Sequence, residues 1–149
     1  MYNVSIAKRC ELPTVVRLSK EGIEQIDVEP APIVDTNVLA DTVYKNYMIS
    51  PVFILQKNGV PVGVAPTTLN TYGWSKSPHL STLVIYIQKD HKSLNTLDLL
   101  MKAITEYANK QGIPYIDTFM GQKRIRARKR LIKRQGFKEA GTTFIYGEA

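Results

Sequence analysis

The sequence has few residues that could crosslink the chain or anchor it in a membrane. Cys10 is the only cysteine among 149 residues, which excludes an intramolecular disulfide and a site built from several thiolates. No apolar run approaches the roughly 20 residues that span a bilayer. The N-terminal segment also lacks the charged-then-apolar order of a signal peptide. We therefore expect a cytoplasmic protein with no membrane contact.

The short motifs of several enzyme classes are also missing. The chain has no P-loop, no G-x-G-x-x-G and no arrangement typical of a serine or cysteine nucleophile. His79 and His91 are too few and too far apart to suggest a metal site. We expect no metal cofactor and no covalent enzyme intermediate.

Acidic residues are outnumbered, with 13 Asp and Glu against 20 Lys and Arg, a net charge of +7. The excess lies in residues 123–134, KRIRARKRLIKR. One interpretation is the solvated face of an amphipathic helix. The other is contact with phosphate groups, including those of a nucleic acid. The residues predicted to make this contact are Lys123, Arg124, Arg126, Arg128, Lys129 and Arg130.

Hydrophobic periodicity predicts one mixed α/β domain over residues 1–149. Asn58-Gly59 separates two apolar runs and predicts a hairpin. Residues 80–88 are almost continuously apolar, which is typical of a central strand covered on both faces. The alternation of the elements predicts a mixed sheet with helices on both faces. We expect strands at 2–8, 51–65 (the hairpin), 80–88, 113–120 and within 137–149, and helices at 11–23, 35–49, 94–111 and 122–135, with 66–78 a loop or irregular strand.

The segment IYIQKDHKSLNTLDLLMKAI, residues 85–104, joins a strand to a helix through a turn without glycine. It permits two interpretations. It is a capped helix start, with Ser93 or Asn95 as the N-cap and Asp98 as the capping partner. Alternatively, its amides and the helix dipole bind an anion, because Ser93, Asn95 and Thr96 are small or favour caps.

This segment resembles the cofactor loop of the GNAT N-acyltransferase superfamily. The resemblance covers most of the chain and is best over 51–147, with Gly136-Phe137 similar to a frequent ending of the family. It implies a central, mostly antiparallel sheet of roughly six or seven strands flanked by about four helices. It also implies an acyl-CoA, such as acetyl-CoA, as cosubstrate and an amine as acceptor. The basic segment could then contact the 3′-phosphate of coenzyme A.

The resemblance assigns residues to the cofactor, with every position numbered in this chain. Lys92 takes the place of the basic residue of the loop, and Ser93, Asn95 and Leu97 take the places of small residues. The backbone after the strand would meet the pantetheine arm, and the turn would meet the pyrophosphate. The predicted cofactor contacts are Ile87, Gln88, Lys92, Ser93, Leu94, Asn95, Thr96 and Leu97.

The acid and base of an acyl transfer are sought near the strand ends. Tyr86, Asp117 and Tyr146 are the predicted catalytic residues, with His79 and His91 as further candidates. Where the family often has a general-acid Tyr in its last helix, this chain has Ile132. Two alternatives to an enzyme therefore stay open. One is a catalytically inactive binding or structural protein, similar to small members found in phage genomes, and the other is a nucleic-acid-binding module. A homodimer is compatible with each.

Overall fold

The computed structural model describes residues 1–26, 33–118 and 125–140. Its strands are β1 (Tyr2–Ile6), β2 (Val52–Lys57), β3 (Val60–Thr71), β4 (Pro78–Thr82), β5 (Tyr86–Ile87) and β6 (Tyr115–Asp117). Its α-helices are α1 (Leu12–Glu24), α2 (Thr36–Tyr47), α3 (Leu94–Gln111) and α4 (Ile125–Arg134). Short 3-10 turns occupy Arg9–Glu11 and Lys89–His91.

The six strands form one mixed sheet in the order β1-β2-β3-β4-β6, with β5 also paired to β3. Every pairing is antiparallel except that of β4 with β6, which is parallel. That parallel pair needs a crossover, and α3 supplies it. The mixed α/β prediction and the mostly antiparallel sheet are confirmed.

Local sequence signals set most element boundaries. The turn between β2 and β3 has φ of 51° at Asn58 and 81° at Gly59, the left-handed pair expected for Asn-Gly. The Asp35 carboxylate caps α2 by accepting the amides of Asn37 and Val38 at 3.0 and 3.3 Å. Gly112, at φ 68°, ends α3 as predicted.

The prediction of one strand over 80–88 was wrong, whereas the strand alternative given for 66–78 is confirmed for its first part. Residues 66–71 continue β3, because this half of the strand pairs with β4. Residues 80–88 do not form one strand, since the chain divides into β4 and β5. The predicted closing strands in 137–149 lie largely outside the described residues, and residues 137–140 are described without a strand.

Two apolar layers cover the sheet. Leu12, Val15 and Leu18 of α1 pack on one face against Ile54 and Val64. The opposite layer unites α3 and α4 with the other side of the same strands, and its fully buried members include Leu55, Leu80, Leu100, Met101 and Ile104. The period-two alternation of β2 and β3 therefore feeds both cores, which is why those strands read as continuous apolar runs.

Candidate active site

The pairing of β4 with β6 ends before β5 begins, and the gap between the parted strands is called the cleft below. The last paired residues of these two strands are Ser81 and Asp117. Further along the chain, β5 pairs with β3 on one side, and among the described residues no strand pairs with its other side. Just beyond this last pair, the hydroxyls of Thr82 and Thr118 lie 2.8 Å apart and connect the ends of β4 and β6.

A β-bulge lies between β4 and β5. The register pairs Thr82 with Thr67 and Tyr86 with Val64, so three residues, 83–85, stand opposite two, 65–66. One extra residue bends a strand and increases its twist. The bulge thus accounts for the division of the predicted strand.

The backbone of β5 presents polar groups to this cleft. The amide of Gln88 donates to the Val62 carbonyl over 2.9 Å. Because amide directions alternate along an antiparallel strand, the amide of Ile87 points away from β3. The Gln88 carbonyl accepts the amide of His91 at 2.9 Å. A cofactor contact from Gln88 would therefore come from its side chain, while Ile87 offers its backbone.

The turn after β5 leads into the N-terminus of α3 through a capping box. The Ser93 hydroxyl accepts the amide of Thr96 at 3.1 Å, and the Thr96 hydroxyl accepts the amide of Ser93 at 3.0 Å. The Thr96 hydroxyl, which is buried, also contacts the carbonyls of His91 and Ser93. The amide of Leu97 donates to the Ser93 carbonyl at 3.1 Å. The amides of Leu94 and Asn95 are the first two of the helix and have no intrahelical partner.

The capping prediction is confirmed for Ser93 and wrong for Asp98. The partner in the box is Thr96, three residues after the N-cap. Asp98 instead pairs with Lys102 at 3.1 Å and accepts a hydrogen bond from Gln135 of the segment after α4. Asp98 therefore joins α3 to the end of α4.

The missing glycines do not distort this turn. Asn58 is the only non-glycine residue with positive φ in the described part of the chain, so positions 92–97 need no left-handed backbone. Leu97 is half buried and packs against the apolar layer formed by α3, α4 and the sheet, called the α3 core below. The exposed outer turn is formed by Lys92, Ser93, Leu94 and Asn95. These residues fit an anion at the helix N-terminus, where unpaired amides and the helix dipole favour negative charge.

Solved structures with this architecture include several acetyltransferases. A predicted acetyltransferase of Clostridium acetobutylicum, solved with acetyl-CoA, superposes with a TM-score of 0.78 over 99% of this chain and 96% of that chain, at 12% identity. An aminoglycoside N-acetyltransferase in complex with CoA matches with a TM-score of 0.73 over 99% and 95%, at 14% identity. The ribosomal-protein-alanine N-acetyltransferase of Brucella melitensis matches with a TM-score of 0.71 over 100% of both chains, at 11% identity.

The chain has the GNAT acetyltransferase fold. No protein-family sequence model and no curated protein matches the sequence. The likeness is therefore one of fold, and the activity depends on the particular residues of this chain.

Within the GNAT fold, Tyr86 faces α1. Its side chain is 8% exposed, and its hydroxyl donates to Glu21 Oε2 at 3.1 Å and accepts from Gln25 Nε2 at 3.5 Å. Burial, followed by the hydrogen bond to Glu21 and the negative charge of that carboxylate, raises the pKa of Tyr86, and the Gln25 contact acts in the opposite direction. Tyr86 is thus a hydrogen-bonded core aromatic, and any catalytic role for it stays a prediction.

Glu21 is a candidate that sequence reasoning did not include. It lies near the end of α1 and joins the Tyr86 hydroxyl to Arg17, whose guanidinium is 3.3 Å away. In the sequence, Arg17 and Glu21 are only an exposed i,i+4 pair, which is an ordinary feature of a surface helix. The contact with Tyr86 crosses 65 residues and has no local signal.

Asp117 lies at the point where β4 and β6 part, and 47% of its side chain is exposed. Its Oδ2 accepts the Tyr72 hydroxyl at 3.1 Å and lies 3.5 Å from His79 Nε2. Partial burial, the hydrogen bond to Asp117 and the charge of that carboxylate raise the pKa of Tyr72. Asp117 is therefore a carboxylate with two protein partners and an open side. His91, in contrast, lies by Tyr2, whose hydroxyl is 2.9 Å from His91 Nδ1.

The basic helix α4 contributes Leu131 and Ile132 to the α3 core. Ile132, which the resemblance aligned with a general-acid Tyr, is buried in this layer. Among the described residues, Lys129 is the α4 cation with a carboxylate partner, at 2.9 Å from Glu139 Oε1. The hydrogen bond and charge of Lys129, supported by Lys133, outweigh desolvation and lower the pKa of Glu139.

Arg126 and Arg130 of α4 are exposed, while Arg128 and Lys129 are half exposed. Phosphate or nucleic-acid contact by this helix stays a prediction. Lys123, Arg124 and Tyr146 lie outside the described residues.

Two absences hold for the part of the chain that the structure describes. No group of three or more His, Cys, Asp or Glu residues there is arranged to hold a metal ion. No helix there has both the length and the apolar character needed to cross a membrane.

Proposed function

We propose that the protein is an acyl-CoA-dependent N-acyltransferase that passes an acyl group, such as acetyl, directly to an amine. The observation that carries the proposal is the position of the Ile87 amide. It faces the gap beyond the last β4–β6 pair, and the open amides at the start of α3 follow seven and eight residues later. A linear donor with a polar arm and a diphosphate suits that order of groups.

The donor would be held mainly by backbone. Ile87 would pair with the pantetheine arm as an added strand pairs with an open edge. The amides of Leu94 and Asn95, with the charge of Lys92, would bind the pyrophosphate, and Ser93, Thr96 and Leu97 would keep the turn in place. The capping box can stay intact in this arrangement, because it uses the amides of Ser93 and Thr96.

The transfer would proceed by attack of the amine nitrogen on the thioester carbonyl carbon, followed by cleavage of the carbon–sulfur bond. Asp117 would accept the amine proton, directly or through water, because its half-exposed carboxylate lies at the last β4–β6 pair, where the two strands part. The thiolate would receive a proton from solvent or from Tyr146. Tyr86 would contribute its backbone to β5, and its hydroxyl would fix the position of Glu21 through their hydrogen bond.

A substitution at Leu94 tests the donor site without disrupting the helix. Proline is favoured at the first helical position, and the extended backbone of Ser93, φ −156° and ψ 168°, suits a residue before proline. Leu94→Pro removes one open amide, whereas Leu94→Ala removes the half-exposed side chain and keeps the amide. We expect Leu94→Pro to weaken acetyl-CoA binding by about tenfold or more, as for a hydrogen bond to a charged group, and Leu94→Ala to bind like wild type.

Calorimetric titration and thermal unfolding measure this binding. Acetyl-CoA at 100 times its dissociation constant should stabilise the protein by about 2.7 kcal/mol. If Leu94→Pro and wild type bound acetyl-CoA equally well, the assignment of the Leu94 amide to the pyrophosphate would be wrong. The absence of binding to acetyl-CoA and to longer acyl-CoA species would overturn the enzyme proposal.

A GNAT-fold protein without catalysis is the second candidate. Two features favour it. The Ser93 and Thr96 amides are satisfied within the chain, and Ile132, which takes the place of a general-acid Tyr in the resemblance, is buried. Acetyl-CoA binding with no thiol release in the presence of amines would favour this candidate over the first.

A further inference from the structure

We propose that a stack of three aromatic rings next to Asp117 recognises the acceptor, and that the acceptor is an organic cation with a protonated amine. The stack consists of His79, Tyr72 and Trp74 and is called the aromatic stack below. The inference rests on the proposed function, because it assigns the acceptor side of the same cleft. Its test reads binding at the stack itself and does not require acyl transfer.

The rings of the aromatic stack are almost parallel. Tyr72 lies on His79 with centroids 4.0 Å apart and an interplanar angle of 10°, and Trp74 lies on Tyr72 at 5.1 Å and 12°. His79 is 6% exposed, whereas Trp74 is 84% exposed. One indole face therefore packs on Tyr72 and the rest of the ring is open to solvent. A large aromatic ring held flat and exposed is a surface on which cations and flat molecules bind.

A carboxylate borders the aromatic stack. Asp117 Oδ2 accepts the Tyr72 hydroxyl at 3.1 Å and lies 3.5 Å from His79 Nε2. These contacts fix the carboxylate against the edge of the stack, and about half of the Asp117 side chain remains exposed. The combination of a negative charge and open aromatic faces selects a cation over an anion or a neutral molecule.

The aromatic stack and Asp117 lie on the α1 face of the sheet, and in our proposal this is the side from which the acceptor enters. Leu80 points into the α3 core, so the alternation of β4 turns His79 and Ser81 to the α1 face. Asp117 is opposite Ser81 in the last pair before the strands part. An ammonium group held by Asp117 would thus stand at the entrance of the gap that Ile87 borders.

The buried ring of His79 holds the far end of the aromatic stack. Its Nδ1 is buried and has no hydrogen-bond partner among the described residues. A buried nitrogen without a partner costs stability. The His79 ring is nevertheless held flat against Tyr72, with its Nε2 3.5 Å from Asp117 Oδ2. We regard His79 and Tyr72 as positioning residues, and Asp117 and Trp74 as the groups that meet the ligand.

Trp74 is the only tryptophan of the chain, so intrinsic fluorescence reports on the aromatic stack directly. Without any acyl-CoA, the protein is titrated with 2-phenylethylamine, with spermidine and with the uncharged 2-phenylethanol. We expect a saturable change of Trp74 emission with at least one of the two amines, and binding of 2-phenylethanol at least about tenfold weaker.

Asp117→Asn is the decisive variant, and Glu106→Gln, which removes an exposed carboxylate from α3, is its control. Asp117→Asn should weaken amine binding by about tenfold or more, with no change for Glu106→Gln. Tyr72→Phe keeps the ring but loses the hydroxyl bound to Asp117, and we expect an intermediate loss. Circular dichroism of each variant verifies that it is folded.

Three results would overturn the inference. They are the absence of saturable change with both amines, equal binding of 2-phenylethanol and 2-phenylethylamine, and equal effects of Asp117→Asn and Glu106→Gln. A shift of Trp74 emission with protein concentration alone would assign the stack to self-association instead. Acyl-CoA binding is measured separately, so a failure here and a failure of the enzyme proposal remain distinguishable.

Discussion

The close contact between Gly22 of α1 and Tyr86 of β5 permits a quantitative test of how closely α1 packs against β5. A Cβ added at Gly22 would lie 2.6 Å from Tyr86 Cβ and 2.9 Å from its Cγ. Both atoms are close to the backbone, so they can move only if α1 or β5 moves. Overpacking of this kind costs about 1–3 kcal/mol. Alanine in a helix is favoured over glycine by about 1 kcal/mol, which offsets part of that cost.

We therefore expect Gly22→Ala to lower the free energy of unfolding by up to about 2 kcal/mol, the steric cost less the propensity gain. Urea unfolding followed by circular dichroism measures this as a fall in the midpoint of up to about 1 M. Gly73→Ala is the matched control, because an added Cβ there meets nothing within 4 Å and the backbone is not left-handed. The control should change stability by less than about 0.5 kcal/mol. If Gly22→Ala were more stable than wild type, the gain in helix propensity would exceed any steric cost. That result would refute the close packing of α1 against Tyr86.

Three further predictions concern buried or capping polar groups. Thr67→Val should cost about 1–3 kcal/mol in urea unfolding, because the buried Thr67 hydroxyl lies 2.6 Å from the Ser50 hydroxyl and donates to a carbonyl at 2.6 Å; an unchanged midpoint would contradict this network. Thr96→Val should cost about 1–2 kcal/mol and increase amide exchange at Ser93, since the capping box is lost; unchanged exchange at that amide would argue against the box. Because the pKa of Tyr86 is raised above 10.0, the folded state binds its proton more tightly, so this stabilisation is complete below about pH 10 and is lost as the pH rises through the folded pKa. The fall in stability above pH 10 should be shallower in Tyr86→Phe, and equal slopes would contradict the buried hydrogen bond.

The sequence was sufficient for features whose cause is local. The Asn58-Gly59 hairpin follows from the two positive φ values that this pair tolerates. The ends of α3 follow from Ser93 and Gly112, because capping chemistry involves neighbours within a few residues. The order of strands and helices was therefore predictable, and with it the resemblance to the GNAT fold.

Long-range pairing overturned the prediction of a single strand over residues 80–88. A continuous apolar run reads as one strand, yet it divides at 83–85 because its register against β3 shifts by one residue. That shift depends on the positions of Pro66 and Thr67 in the partner strand. These residues lie too far from 83–85 in the sequence for a local pattern to show the shift. The parting of β5 from β6, and with it the candidate cleft, is a property of the assembled sheet.

The surroundings of each polar side chain were likewise decided by tertiary structure. The sequence indicated Tyr86 and Asp117 as similar acid–base candidates at strand ends. Packing buries Tyr86 against Gly22 and bonds it to Glu21, but leaves Asp117 half exposed beside Tyr72 and His79. The sequence by itself determined the elements and the residue types available for chemistry. Only the fold determined which of them face the cleft, because solvent exposure and hydrogen-bond partners come from segments tens of residues apart.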